Sequence, residues 1–88
     1  MMIVDMREDS EYSAGHVEGA VNIPSAEFMA GVVPVPLQNV DRDEEIILYC
    51  HSGGRSEVAR YILRQQGFTN VTNGRNQGRV EQLLSHQG

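Results

Sequence analysis

The stretch EIILYCHSGGRSEVARYILRQQG, residues 45–67, decides the fold. Its opening EIILYC is a continuous apolar run behind one acid, the pattern of a strand buried on both faces. Its closing SEVARYILRQQG places Val58, Ala59, Ile62 and Leu63 on one side of a helix and Arg60, Arg64 and Gln65 on the other. Gly67 ends that helix. The glycine-rich HSGGR lies between the two, so a strand turns into a helix within a few residues, as in a βα unit. Cys50, the one cysteine of the chain, stands at the turning point.

Outward from there the same alternation continues. MIVDM (2–6) is a short apolar run ending in an acid, read as a strand with Asp5 at its C-terminal end. REDSEYSAG (7–15) predicts one or two helical turns, acidic at the start as the helix dipole prefers and closed by Gly15. HVEGAVNIP (16–24) predicts a brief strand around Ala20–Ile23, stopped by Pro24. Ser25 is the expected N-cap of a helix through SAEFMAGV. Residues 34–45 are turn-rich and polar and read as a connection. FTNVTN (68–73) predicts a fourth strand and GRNQG (74–78) a loop. A last helix over 78–86 packs through Val80, Leu83 and Leu84. The expectation is one α/β domain over residues 1–88, with a small, largely parallel sheet of four to five strands and helices on both faces.

Composition excludes several classes. No apolar run approaches the roughly 20 residues that span a bilayer, and the N-terminus has no basic region followed by an apolar one. The chain as given therefore reads as cytoplasmic, or periplasmic if a cleaved leader has been removed. One cysteine allows neither an internal disulfide nor a zinc site built on several thiolates. The net charge of −5 argues against nucleic acid as a partner. That charge is unevenly spread. Residues 1–50 hold ten acids and two arginines (−8), whereas residues 51–88 hold five arginines and two glutamates (+3). The positive half begins directly after Cys50, so a small anion approaching it meets a favourable field.

The loop itself favours a thiolate. Sites in open α/β sheets form beyond the carboxyl ends of strands, where Cys50 falls. Gly53 and Gly54 allow tight or positive-φ backbone, so the N–H groups of His51 to Ser56 can point inward as an anion nest. The following helix adds its positive N-terminus, with Ser56 as a candidate cap, and Arg55 supplies a permanent cation. Each of these favours the charged sulfur over the thiol.

These residues resemble a known family. C-x-x-G-x-R-S between an apolar strand and an amphipathic helix is similar to the active-site loop of rhodaneses, which are sulfurtransferases. The N-terminal half agrees independently, with Asp5 and Arg7 as D-x-R, then Glu11, then GHVEGAVNIP over 15–24. The compact length resembles the phage-shock-protein-E type. The resemblance implies that Cys50 takes a sulfane sulfur from a small anionic donor such as thiosulfate, holds it as a persulfide and passes it to a thiol or cyanide. It implies that His51, Ser52, Gly53, Gly54 and Ser56 cradle that sulfur and that Arg55 stabilises negative charge. It calls for no metal or organic cofactor, and a monomer suffices. Ser52 stands where some thiosulfate-specific members have lysine, and NGRNQGRV lacks the family's double glycine and following aromatic.

Asp5, Arg7 and Arg75 are candidate supports. Asp5 could pair with Arg55, Arg7 with Glu11 four residues on, and Arg75 could reach the pocket mouth. His51 either tunes the thiolate or faces solvent, His16 orders its turn, and His86 is solvated. Two alternatives remain. A cysteine-dependent phosphatase would use a similar strand–loop–helix with five residues between cysteine and arginine, but here there are four. A binding or regulatory module on the same fold would more usually lack the cysteine.

Overall fold

The computed structural model describes residues 1–87. It contains four strands, β1 (Met2–Asp5), β2 (Val21–Asn22), β3 (Ile46–Cys50) and β4 (Val71–Asn76). Four helices accompany them: α1 (Asp9–Ala14), α2 (Ser25–Phe28), α3 (Gly54–Gln65) and α4 (Gln77–Gln87), with a single 3₁₀ turn at Val35–Leu37. The strands form one sheet in the order β2-β1-β3-β4, and every pairing is parallel. The expected α/β architecture is therefore present. No helix among the described residues is long and apolar enough to cross a membrane.

β3 explains the two-sided core. All five of its residues are buried, and successive side chains leave on opposite faces. Ile46, Leu48 and Cys50 pack with Phe28 of α2, Ala59 and Leu63 of α3, and Leu37. Ile47 and Tyr49 pack on the other side with Val80 of α4, together with Ile3, Val17 and Ala20. Each such fully buried apolar side chain contributes about 1.5–3 kcal/mol. The strand bearing the cysteine is thus packed on both faces.

The structure corrects several sequence expectations. β4 runs over 71–76 rather than 68–73, and most of the expected loop is strand. Residues 67–69 are consumed in closing α3: Phe68 N–H donates to Leu63 O at 3.0 Å, and Thr69 N–H to Arg42 O at 2.8 Å. The ladder starts only where Val71 meets Ile46, and the register then shifts between Leu48 and Tyr49, which pair with Asn73 and Arg75. Gly74 is the extra residue of this bulge. A Cβ there would lie 2.5 Å from Val80 Cγ2 and 2.9 Å from Ile47 Cγ2, so only glycine lets α4 close on the sheet. The segment after Pro24 is a single turn over 25–28 rather than a helix to residue 32, and Ser25 makes no side-chain cap. Val58 is exposed, and Ser56 takes the inward position one turn earlier that the periodicity had not assigned.

Candidate active site

Cys50 ends β3 at the carboxyl edge of the sheet and is 4% exposed. The chain then turns through His51 and Ser52 to Gly53, the N-cap of α3, at φ +96. Glycine is needed there twice over. The φ value is left-handed, and a Cβ would come within 3.1 Å of Arg75 Cγ. Gly54 begins the helix without a positive φ. The N–H of Gly53 donates to Cys50 Sγ at 3.2 Å. Asn73 Nδ2 donates to Gly53 O at 2.9 Å, bracing the loop from β4.

Because Gly53 is the cap, Ser56 lies inside the first turn, fully buried, and does not cap the helix as expected. Its hydroxyl lies near the sulfur and has no well-aligned hydrogen-bond partner. A buried hydroxyl without a partner costs about 1–3 kcal/mol, and a charged sulfur relieves that cost by accepting a hydrogen bond from it. Burial alone pushes the Cys50 thiol up. The Ser56 hydroxyl and the N–H groups of Ser56, Gly53 and Ser52 outweigh it and bring the thiol down to about 7. Near neutral pH the sulfur is therefore divided between thiol and thiolate.

A cleft of about 210 Å³ opens over Cys50, lined by Arg7, His51, Ser52 and Arg55. Arg55 enters from the first turn of α3, is exposed, and forms no ion pair among the described residues. It is not paired with Asp5. Nor does Arg7 pair with Glu11. Its guanidinium reaches back to Asp5, with Nη2 at 2.7 Å and Nε at 3.1 Å from the carboxylate, and donates to Gly15 O at 2.6 Å.

Asp5 is fully buried and faces the sheet interior rather than the cleft. Tyr49 donates its hydroxyl to Asp5 Oδ2 at 2.7 Å and accepts from Val17 N–H at 3.0 Å. Burial would raise the Asp5 carboxyl. The bonds from the Arg7 guanidinium, the Tyr49 hydroxyl and the Arg7 N–H hold it below its ordinary value instead. Burial, together with the bond to Asp5, pushes Tyr49 up to about 12. This network fixes Arg7 at the cleft wall.

His51 is largely exposed, and its Nε2 pairs with the Glu11 carboxylate of α1. The backbone N–H of Glu8 and the His51 ring both draw the Glu11 carboxyl down. His16 stacks on Tyr12 at 3.7 Å and bonds Tyr12 O, a structural role in its turn. Arg75 does not line the cleft. It adopts φ +75, donates its N–H to Asn73 Oδ1 and packs over Gly53, so it shapes the loop from behind. Ser56 was expected in the cradle through its backbone; its hydroxyl beside the sulfur, Tyr49 and Asn73 are the parts that the sequence did not reveal. Tyr49 was visible only as the one polar atom in an otherwise apolar strand.

A loop of this geometry on this sheet defines a class, and comparison with known proteins agrees. The family model described as the Rhodanese-like domain matches residues 1–76, and the chain belongs to that family. It is similar to YrkF of Bacillus subtilis, named for a sulfur-carrier role, with 39% identity over 71 residues, 81% of this chain and 36% of that protein. It is equally similar to the tRNA uridine(34) hydroxylase of Sodalis glossinidius, 39% identical over 71 residues, 80% of this chain and 20% of that enzyme. The chain thus spans about a third and a fifth of the length of these relatives. Among solved structures, a rhodanese from E. coli determined with anions superposes with TM-score 0.74 at 29% identity, covering 89% of this chain and 88% of that one.

Proposed function

We infer that the domain is a sulfurtransferase working through a persulfide on Cys50. The observation that carries this reading is the sulfur's own environment: a buried thiol at the carboxyl end of β3 that accepts the Gly53 N–H at 3.2 Å, lies under a cleft walled by Arg7 and Arg55, and is brought down to about 7 by the surrounding donors. A structural cysteine gains nothing from such a cradle. A transferred sulfur, which is anionic as a persulfide, is held by the same donors that favour the thiolate.

A small anion such as thiosulfate enters the cleft between Arg7 and Arg55. The Cys50 thiolate attacks its outer sulfur, the donor's S–S bond breaks and sulfite leaves with the electron pair. A thiol or cyanide then attacks the outer sulfur and releases Cys50 as thiolate. Arg55 neutralises charge on the donor and on the departing group. Neither step uses a metal or organic cofactor. The names borne by relatives, a sulfur carrier and a tRNA hydroxylase, fit a domain that hands sulfur on or serves a larger enzyme.

Intact mass after thiosulfate treatment tests the reading. A gain of about 32 Da, removed by a reductant and absent in Cys50→Ser, is expected. No adduct on folded protein would overturn it in favour of a binding module.

A further inference from the structure

A second cleft adjoins the one over the sulfur. It is the larger, about 370 Å³, and lies between the residues after β1, the α2 turn and the start of α3. Arg55 borders both clefts. Buried Met6, Phe28 and Ala59 line the second one, and Met29 and Val58 stand at its rim, 63% and 44% exposed. Val58 belongs to the core by sequence periodicity, yet the structure turns it to this opening.

An inorganic anion has no use for such a wall, since apolar side chains offer it no partner. An aliphatic group would bury apolar surface against Met29 and Val58, about 25 cal/mol for each Å² removed from water. The Arg55 guanidinium, without an ion pair among the described residues, is placed at the junction and matches a carboxylate. Glu8, also on the wall, disfavours a second anionic group farther in. Together these give the order of groups in a fitting ligand: sulfur at Cys50, carboxylate at Arg55, apolar tail beyond.

We propose that this second cleft is the acceptor subsite, and that it takes the apolar tail of an organic thiol carrying a carboxylate beside its sulfur. The proposal rests on the sulfurtransferase reading above. The acceptor thiol loses its proton to solvent, and its thiolate attacks the outer sulfur of the Cys50 persulfide. The bond from that sulfur to Cys50 Sγ breaks, a new S–S bond to the acceptor forms, and Cys50 departs as thiolate. No oxidant or reductant is consumed.

The test follows discharge of the persulfide-loaded protein by a homologous series, 2-mercaptopropanoate to 2-mercaptohexanoate, in which the tail grows while the thiol stays chemically the same. The second-order rate rises about two- to fourfold per added methylene. In a Met29→Ser, Val58→Ser double variant that dependence flattens, while turnover from thiosulfate to cyanide is retained. A flat series in the parent protein overturns the proposal. So does an equally steep series in the variant, which would put the tail elsewhere. A measurement independent of turnover uses Cys50→Ser titrated with butanoate and hexanoate. Saturable NMR shifts are expected at the Val58 and Met29 methyls, tighter for hexanoate and weakened by Arg55→Gln. Their absence overturns the subsite even where thiosulfate loads Cys50. Failure to load Cys50 removes the sulfurtransferase reading, and the titration still decides whether the cleft takes such a ligand.

Discussion

Replacing Ser56 by alanine separates the tuning of the sulfur from the stability of the fold, because the two are expected to move independently. The hydroxyl is one of four donors that together bring Cys50 to about 7. A hydrogen bond to a charged group is worth about 1.5–3 kcal/mol, and about 1.4 kcal/mol corresponds to one pKa unit. Taking the low end, since the donors share one sulfur, Ser56→Ala moves the titration of Cys50 up by about one unit, to near 8. The thiolate fraction at pH 7 then drops from about a half to about a tenth, so alkylation and sulfur loading slow about fivefold and recover above about pH 9. Stability behaves differently. At pH 6 the sulfur is a thiol, the Ser56 hydroxyl has no well-aligned partner, and removing it relieves a buried polar group. The assay is the pH dependence of iodoacetamide alkylation beside thermal unfolding at pH 6. An unmoved alkylation midpoint, or a large loss of stability at pH 6, would refute the reasoning.

Further consequences can be measured with single substitutions. Cys50 titrates lower in the folded chain than in the unfolded one. Its ionisation therefore adds stability that is absent below about pH 7, grows as pH rises and is complete near pH 9, at about 2 kcal/mol. Denaturant unfolding at pH 6 and pH 9 should show this gain in the parent protein and not in Cys50→Ser. Arg7→Met leaves the fully buried Asp5 carboxylate with only the Tyr49 hydroxyl and the residue-7 backbone N–H, without a cation, and costs about 3–5 kcal/mol at neutral pH. Asp5 is depressed in the native state, so its contribution is present above the ordinary carboxylate range and lost as pH falls through its folded value. The penalty of Arg7→Met therefore shrinks on acidification, and an undiminished penalty at low pH would contradict the network. Gly74→Ala places a Cβ 2.5 Å from Val80 Cγ2 and should lower stability by about 1–3 kcal/mol, read by calorimetry, with activity per folded molecule retained.

Some features were readable from local sequence and others required distant contacts. The cysteine loop was legible because its ingredients are contiguous: an apolar strand, a cysteine, glycines and the start of a helix. The role of Ser56 was not, because it turns on a shift of three residues in the helix start. With Gly53 rather than Ser56 as cap, the same serine points at the sulfur. β4 was misplaced because its bounds are set by the register against Ile46 and by Gly74 beneath Val80, neither of which leaves a periodic mark in FTNVTNGRN. The choice of Asp5 as the partner of Arg7 depends on Tyr49, 44 residues from Asp5. Spacing alone favoured Glu11, four residues along a helix, but that side chain is engaged by His51.

The strand order has a consequence for how the chain is made. β1 meets β2 through two residue pairs but meets β3 through four. Until β3 has been synthesised, β1 therefore has only that two-residue ladder, and Asp5 and Val17 both lack the Tyr49 hydroxyl. When β3 arrives it brings five buried side chains and still lacks its second neighbour until residues 71–76 follow. The sheet is therefore complete only once β3 and then β4 have been made. A chain interrupted before β4 exposes the Ile46–Cys50 edge as an open template for pairing, with the reactive sulfur at its end.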